Sequence, residues 1–376
     1  MAKELIKGNI AFAEAALRAG LQSYFGYPIT PQTEALEWLS GRMPELGRVF
    51  VQAESELGAI NMVYGAACTG TRTMTSSSSP GISLMQEGIS YIAGSEVPVV
   101  IINVMRGGPG LGNIAPAQSD YTQAVHGGGH GDYPRIVLAP ANIQELIDIT
   151  YESFDIAERY RCIVFIILDG SMGQMMEPAE LPPFRELKTD IPDWAVVGAK
   201  GRKPNLICSL NIGAPEHEIV NMRLYNTWKN IRKNEIRYQE YYMDDAEYVI
   251  VAYGTSGRIS LSAVREARAK GIKIGLFRPI SLSPFPEATL EALSKNAKGM
   301  LVVEMSTGQL LDDVLRITKG QCPIQFYGRA GGPVPLPEEI LKQIDLMVDE
   351  GIPTDIHPRD LWFERLTAEL GLTYES

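Results

Sequence analysis

The amino-acid sequence predicts an α/β protein in which parallel sheets are covered by helices. Helix-like and strand-like segments alternate along most of the chain, and some strand candidates are almost entirely apolar, such as residues 97–105 (VPVVIINVM). Strands that crossover helices bury on both faces have this pattern. The alternation breaks once, between residues 171 and 245, which indicates two units of unequal size.

The first unit is predicted to cover residues 1–175. Its helices follow from apolar residues at helical spacing, and its strands follow from short apolar runs between turn residues. The predicted strands cover residues 21–25, 48–52, 72–75, 97–105 and 162–168. The predicted helices cover residues 9–18, 34–43, 55–67, 83–93 and 143–158.

Residues 176–244 are predicted to form a linker, because they contain a proline-rich stretch and a long polar segment that indicates a solvated helix. Alternation resumes in a smaller α/β unit at residues 245–345, and a tail with a short amphipathic helix covers residues 346–376. The strands of this second unit are predicted at residues 248–252, 273–277, 300–303 and 323–327, and its helices at 259–269, 286–293 and 310–317.

Composition excludes several classes of function. The formal net charge of -11 argues against binding to nucleic acid or to an anionic membrane. The apolar runs are shorter than the roughly 20 residues of a membrane helix, and MAKELIKGN at the start lacks the apolar region of a signal peptide, so we expect a cytoplasmic protein. The four cysteines form no C-x-x-C pair, so no iron–sulfur or zinc pattern is visible.

Four segments follow predicted strands of the first unit, where ligands bind in open parallel sheets. They are the YPITP loop (residues 27–31), the pair Glu54 and Glu56, the serine-rich segment TSSSSPG (residues 75–81) and the glycine-rich loop RGGPGLG (residues 106–112). If the sheet is doubly wound, these segments converge on one cleft.

Each segment has a structural and a functional interpretation. Thr30 is either the N-cap of the next helix or a hydroxyl that a stiff proline-bounded loop presents to a ligand. Glu54 and Glu56 either complement a helix dipole or include a buried reactive carboxyl. Arg106 is either a solvated arginine or a carboxylate-binding fork. Helix capping accounts for the serines at positions 76–79, because no G-x-S-x-G context surrounds them.

Taken together, the motifs resemble those of the alpha subunits of multi-subunit 2-oxoacid:ferredoxin oxidoreductases, over about residues 5–345. The motifs that carry this resemblance are YPITP, QAESELGAINMVYGAACTGTRTMTSSSSPG (52–81), NVMRGGPGLG followed by QSDY (118–121), GGGHGDY (127–133), FRPISLSPFP (277–286) and VVEMSTGQLLDDV (302–314). The resemblance implies a thiamine-diphosphate pyrimidine-binding domain plus a smaller transketolase C-terminal-like α/β domain.

The resemblance also implies an activity. Such enzymes convert a 2-oxoacid, coenzyme A and oxidised ferredoxin into acyl-CoA, carbon dioxide and reduced ferredoxin. RGGPGLG with APAQSDY and GGGHGDY is most similar to the enzymes for 2-oxoisovalerate and other branched-chain 2-oxoacids. A main substrate of 2-oxoglutarate is the alternative within the family.

Residue roles follow from the same resemblance. Glu56 matches the carboxyl that contacts N1′ of the cofactor's aminopyrimidine and favours its proton-removing imino tautomer. Thr30 and Arg106 match the groups at the substrate. Tyr27, Pro28 and Ile29 are expected to form part of the pyrimidine pocket. No residue is assigned to a metal ion.

The diphosphate motif of thiamine enzymes is incomplete in this sequence. Leu168-Asp169-Gly170 matches it in part, but no Asn-Asn pair follows. The resemblance therefore implies a beta subunit that supplies the diphosphate site, Mg²⁺ and an iron–sulfur cluster, with gamma and ferredoxin-like subunits completing the enzyme.

The sequence leaves three alternatives to this function. A transketolase-type transferase shares the order of domains, and an inert scaffold subunit would retain the fold without the activity. A nicotinamide-dependent dehydrogenase is disfavoured because no proper G-x-G-x-x-G fingerprint is present.

Overall fold

A computed structural model describes residues 3–373. The chain forms two mixed sheets and one small two-stranded sheet. The strands are β1 (Glu4–Lys7), β2 (Ser23–Gly26), β3 (Val49–Gln52), β4 (Thr73–Ser77), β5 (Val99–Met105), β6 (Ile136–Leu138), β7 (Ile163–Asp169), β8 (Met176–Ala179), β9 (Tyr238–Tyr241), β10 (Tyr248–Val251), β11 (Ile274–Pro279), β12 (Ser281–Ser283), β13 (Gly299–Glu304) and β14 (Ile324–Gly328).

Helices connect these strands and cover the faces of the two larger sheets. They are α1 (Gly8–Arg18), α2 (Thr33–Glu45), α3 (Glu56–Ala67), α4 (Ser79–Gly94), α5 (Tyr121–Val125), α6 (Ile143–Tyr160), α7 (Gly170–Gln174), α8 (Ala214–Asn234), α9 (Gly254–Ala269), α10 (Glu287–Ser294), α11 (Gln309–Thr318), α12 (Pro337–Asp349) and α13 (Pro358–Glu369). The predicted α/β class is confirmed.

The larger sheet has the strand order β12-β6-β7-β5-β4-β2-β3, and all its strands are parallel except β12. The chain passes from β2 to β3 on one side and then returns to β4 on the other side of β2. The sheet is therefore doubly wound, with its topological switch point between β2 and β4. Ligands bind beyond the carboxyl ends of the strands at such a point.

Two apolar layers hold this sheet, because side chains alternate between its faces. Along β5, Val99 and Ile101 belong to one buried cluster, while Val100 and Ile102 belong to the other. Helices α3 and α4 pack together on the first face, and α1, α2 and α6 cover the second. The first cluster continues into the core of the second sheet.

The second sheet has the order β14-β13-β10-β11-β9, in which only β9 is antiparallel. Chain segments cross between the predicted units at two places. Strand β12 follows β11 in sequence but pairs with β6 of the first sheet. Strand β8, which lies in the predicted linker, pairs with β1. The division at residues 175 and 245 remains a prediction.

Candidate active site

The YPITP loop leaves the carboxyl end of β2 at the switch point. Side chains from three other segments fix its backbone. The carbonyl oxygen of Pro31 accepts hydrogen bonds from Asn9 Nδ2 at 2.6 Å and Gln174 Nε2 at 3.0 Å. Gln32 Nε2 donates to the Tyr27 carbonyl at 3.3 Å. The loop is therefore a stiff platform, as its two prolines predict.

Thr30 lies at the exposed edge of this platform. Helix α2 begins at Thr33 with Gln32 as its N-cap, so the interpretation of Thr30 as an N-cap is wrong. The Thr30 hydroxyl pairs with no residue between 3 and 373. Pro28 and Ile29 are half-buried beside it, and Tyr27 is more exposed.

Arg106 joins the YPITP loop to the glycine-rich loop. Its Nη1 donates to the Thr30 carbonyl at 2.9 Å, and its Nη2 donates to the Leu111 carbonyl at 3.1 Å. The side chain is buried, so the interpretation as a solvated arginine is wrong. Two of the five N–H groups of a guanidinium are thus used, and Nε is buried without a partner among the described residues. The remaining N–H groups of the Arg106 guanidinium can therefore bind an anion.

Glu56 occupies the first turn of α3, behind the N-cap Ser55, whose hydroxyl accepts from the Gly58 amide at 3.1 Å. The Glu56 side chain is only 5% exposed. No hydrogen bond or ion pair within residues 3–373 involves its carboxylate. The helix dipole favours an acid at this position, but the dipole does not require the acid to be buried. Glu54, in contrast, is exposed.

The Glu56 carboxylate lies against the start of α4. A Cβ atom on Gly81 would come within 2.6 Å of Glu56 Oε1 and would also meet the Ser77 hydroxyl, so a larger residue there would displace these side chains. Three hydroxyls of the serine-rich segment, those of Thr75, Ser77 and Ser78, are buried without partners in the described chain. Ser78 is the N-cap of α4 but makes no side-chain capping bond, so helix capping does not account for this serine.

Asp120 is a site residue that sequence reasoning did not single out, although QSDY contains it. Its Oδ2 accepts from Ser79 Oγ at 2.6 Å and from Asn103 Nδ2 at 2.8 Å. Burial raises the pKa of the Asp120 carboxyl, although those two hydrogen bonds and the charge of Arg106 oppose the shift. Ser79 Oγ also accepts from the Arg106 amide at 3.0 Å. Asp120 therefore helps to hold the backbone that carries the arginine.

These contacts bring together the four segments that were expected to converge. The GGGHGDY segment is not among them. It packs against the later turns of α4, where Ser90 Oγ donates to the His130 carbonyl at 2.8 Å. Asp169, from the partial diphosphate motif, is occupied as a helix cap, since it accepts from the amides of Ser171 and Met172.

Within residues 3–373, no group of three or more histidine, cysteine, aspartate or glutamate side chains is arranged to hold a metal ion. No helix in this part of the chain combines the length and the apolar character that crossing a membrane requires.

Two protein-family models match most of this chain. A model described as pyruvate flavodoxin/ferredoxin oxidoreductase, thiamine diphosphate-binding, matches residues 14–252. A model of pyruvate:ferredoxin oxidoreductase core domain II matches residues 246–340.

Two curated relatives match along most of their length. The ketoisovalerate oxidoreductase subunit VorB of Methanothermobacter thermautotrophicus is 49% identical over 346 residues, with 92% of this chain and 97% of the relative covered. The 2-oxoglutarate synthase subunit KorA of Methanothermobacter marburgensis is 36% identical over 366 residues, with 90% and 97% covered.

Solved structures agree with these matches. A 2-oxoglutarate:ferredoxin oxidoreductase from Magnetococcus marinus, with 2-oxoglutarate, coenzyme A and succinyl-CoA bound, has a TM-score of 0.83 and 27% identity. The match covers 94% of this chain and 66% of that longer chain. A split-gene transketolase shares the fold, with a TM-score of 0.57 and 13% identity over 90% of this chain and 97% of that chain. The resemblance seen in the sequence is thus confirmed, and the chain belongs to the 2-oxoacid:ferredoxin oxidoreductase family, as an alpha-type subunit with a thiamine-diphosphate-binding domain.

Proposed function

We propose that this chain is the cofactor-activating subunit of an enzyme that oxidatively decarboxylates branched-chain 2-oxoacids. The reaction joins the acyl group to coenzyme A, releases carbon dioxide and passes two electrons to ferredoxin. One observation carries the proposal: the Glu56 side chain is largely buried beside the switch point, and its carboxylate has no partner in the described chain. An unpaired buried carboxylate is costly unless a ligand satisfies it.

The residues around Glu56 fit thiamine diphosphate. Glu56 would hold the aminopyrimidine ring through its nitrogen N1′, and Tyr27, Pro28 and Ile29 would line the ring's pocket. When bound, the cofactor supplies the electron sink for the loss of carbon dioxide from a 2-oxoacid. The carboxyl of Glu56 would keep a proton at N1′, because the described chain offers that carboxyl no competing hydrogen bond.

Arg106 and Thr30 would bind the 2-oxoacid. The guanidinium has unused N–H groups, and its hydrogen bonds to the Thr30 and Leu111 carbonyls fix its orientation. A fixed planar fork binds a carboxylate better than a mobile cation does. The free hydroxyl of Thr30 would donate to the substrate from the edge of the YPITP loop.

The glycine-rich loop favours a branched-chain substrate. No lysine or arginine occurs in residues 107–116, and two apolar residues in this stretch, Leu111 and Ile114, are exposed. A second substrate carboxylate, as in 2-oxoglutarate, would require another cation at the pocket. The relative that is 49% identical is a ketoisovalerate oxidoreductase subunit, which supports the same choice. Comparing 2-oxoisovalerate, 2-oxoglutarate and pyruvate in the assembled enzyme tests it directly.

The proposal includes partner subunits. The outer faces of α3 and α4 beside Glu56 expose Leu57, Met62 and Leu84, which are apolar side chains that a partner would cover. We propose that a beta subunit docks there and supplies the diphosphate site, Mg²⁺ and an iron–sulfur cluster. Gamma and ferredoxin-like subunits would complete the complex.

The decisive experiment is Glu56→Gln in the assembled complex. The amide retains the size of the side chain but cannot keep the proton at N1′, so turnover should fall by about 100-fold or more, while the subunits still co-purify. The matched control is Glu54→Gln, because Glu54 is exposed two residues away. Near-normal turnover of Glu56→Gln would refute the assignment and favour an inert scaffold.

The transketolase-type alternative is separated by a different measurement. Iron–sulfur clusters absorb visible light, so the purified complex should be brown and should bleach when a 2-oxoacid and coenzyme A are added. A colourless complex that transfers two-carbon units would support the transketolase-type alternative instead.

A further inference from the structure

A second candidate site lies at the opposite edge of the larger sheet. Arg135 immediately precedes β6, so it marks the amino end of a parallel strand, whereas Glu56 and Arg106 lie at carboxyl ends. A cavity of about 490 Å³ opens beside Arg135. Its lining includes His126, Tyr133, Arg135, Asn221, Tyr225 and Trp228. Its volume lies within the range of small-molecule sites.

Arg135 is buried without a carboxylate partner. Its side chain is 3% exposed, and its Nη1 has no hydrogen-bond partner among the described residues. Nη2 makes one long hydrogen bond, 3.4 Å, to the hydroxyl of Tyr133, and the guanidinium lies 5.0 Å from the centre of the Tyr133 ring. These contacts offset little of the cost of burying a cation.

Two other buried arginines of the described chain do have carboxylate partners. Arg72 pairs with Glu158 at 2.8 Å, and Arg278 pairs with Glu145 at 2.8 Å. Arg106 and Arg135 are the two that lack a carboxylate. Arg106 is the proposed ligand of the substrate carboxylate. Arg135 is likewise buried without a carboxylate partner, at a different place in the fold.

The surroundings of Arg135 fit an anion that carries an uncharged part. Tyr225 and Trp228 of α8 form an aromatic wall of the cavity. Arg232 lies over both rings, at 5.9 and 6.0 Å from their centres, and adds positive charge near the wall. Asp132 also lines the cavity, but it is exposed, so solvent screens its charge. Burial lowers the pKa of the Arg135 guanidinium, and Tyr133 opposes the shift.

Loop 127–133 holds Arg135 in place. Gly127 has a φ of +106°, and a Cβ atom there would come within 2.8 Å of Arg135 Nη2. Ser283 of β12 donates to the Arg135 carbonyl at 2.9 Å. The backbone at Gly127 therefore lies against the guanidinium, while β12 fixes the backbone of Arg135.

We propose that this cavity binds a small ligand with a carboxylate or phosphate group, that Arg135 is its charge partner, and that Tyr225 and Trp228 pack against its uncharged part. The inference does not depend on the proposed function, because none of these residues belongs to the candidate active site. A cation kept unpaired for a ligand should also lower the stability of the empty protein.

The test is thermal unfolding of the full chain in its purified complex, with inorganic phosphate or acetate as probe and chloride at matched ionic strength as reference. Wild type should gain stability in at least one probe, and the anion with the larger shift identifies the preferred oxyanion. Arg135→Met removes the charge but keeps an apolar stem. It should unfold at the same or a higher temperature than wild type without a probe, and it should bind the probe at least tenfold more weakly by calorimetry.

Arg232→Gln is the matched control, since it removes an exposed cation from the same wall and should preserve most of the shift. Equal probe shifts in wild type and Arg135→Met would overturn the proposal. A clear loss of stability in Arg135→Met without a probe would also overturn it, because the guanidinium would then already be compensated within the chain. If Arg135→Met does not fold, wild type alone decides, since identical unfolding in phosphate, acetate and chloride would exclude the site.

Discussion

Glu56 and Glu304 are two buried glutamates at comparable places in the two larger sheets, and they differ in their partners. Glu56 is the first residue of α3, in the connection that follows β3, and Glu304 is the last residue of β13, in front of α11. Glu304 accepts hydrogen bonds from Ser306 Oγ at 2.6 Å and from the amides of Leu310 and Leu311 at 3.1 Å each. Glu56 has no partner within residues 3–373.

The difference indicates what each region does. In the second sheet the acid is used to cap α11, so its hydrogen-bonding capacity serves the fold. At the switch point of the first sheet, Nε of Arg106 and three hydroxyls are buried and unpaired in the described chain. The largely buried side chain of Glu56 also has no hydrogen-bond or ion-pair partner there. Buried polar groups are normally satisfied, so a cluster of exceptions marks a site that a ligand or a partner subunit completes.

The largest expected effect is a contrast in stability. Glu304→Ala removes the acceptor of three hydrogen bonds and leaves buried donors unsatisfied, which should cost about 3 kcal/mol or more. Glu56→Ala removes a group that has no partner in the chain, so its cost should stay below about 1 kcal/mol. Urea unfolding of the two variants measures the difference. Equal losses would show that Glu56 also supports the fold.

Arg106→Lys should affect the substrate rather than stability. A lysine cannot donate to the Thr30 and Leu111 carbonyls and also grip a carboxylate, because it lacks the planar fork. We expect the KM for the 2-oxoacid to rise about tenfold or more, corresponding to roughly 1.4 kcal/mol, with a smaller change in kcat. Arg42→Lys, at the surface of α2, is the control. An unchanged KM would place the substrate carboxylate elsewhere.

The sequence predicted the apolar core well, because burial by crossover helices leaves continuous apolar runs. Residues 97–105 and 162–168 differ from β5 and β7 only at their first or last residues. Two short strands, one at the edge of the larger sheet and one next to it, were missed. Strand β6 has three residues, and β12 joins a distant sheet, so neither has a periodicity that a local pattern reveals. Helix α12, at residues 337–349, was also missed.

The segments that form the site were predicted from the sequence, but the contacts that hold them together were not. The segments that carry Thr30, Glu56 and Arg106 were identified, and the structure brings them together. The roles of these residues remain predictions. Asn9 and Gln174, which hold the YPITP loop, lie far from it in sequence, so no local signal could identify them. Long-range hydrogen bonds of this kind are set by the topology of the sheet.

Tyr121→Phe tests a hydrogen bond at the contact between the two larger sheets. The buried hydroxyl of Tyr121 donates to Asp313 Oδ2 at 2.7 Å, and its loss should cost about 1–2 kcal/mol. Tyr253→Phe is the matched control, because its hydroxyl makes a longer bond, 3.3 Å, to the Gln118 carbonyl and should cost less. Thermal unfolding measures both. A larger loss in the control would show that Gln118, not Asp313, dominates this contact.

The smallest expected effect is on the pH dependence of stability. Its sign differs between a carboxyl whose pKa is raised in the folded protein and one whose pKa is lowered. Burial raises the pKa of Glu304 above its ordinary 4.5, although hydrogen bonds from Ser306 and the amides of Leu310 and Leu311 oppose the shift. A raised folded pKa gives a stabilising contribution that is complete below the unfolded value and is lost as pH rises through the folded value.

The cluster around Arg72 should behave in the opposite way. Burial acts to raise the pKa values of Asp155 and Glu158, but hydrogen bonds and charge from Arg72 hold both below their ordinary range. Their contribution is present above the unfolded values and is lost as pH falls. Across melting profiles from about pH 3 to 7, Glu304→Gln should remove part of the decline as pH rises above 4.5, whereas Arg72→Gln should remove part of the decline toward acid. A shift of one pKa unit would change the stability by about 1.4 kcal/mol across this pH range. If the melting profile of Glu304→Gln is parallel to that of wild type, the hydrogen bonds to Glu304 fully offset the effect of burial on its pKa.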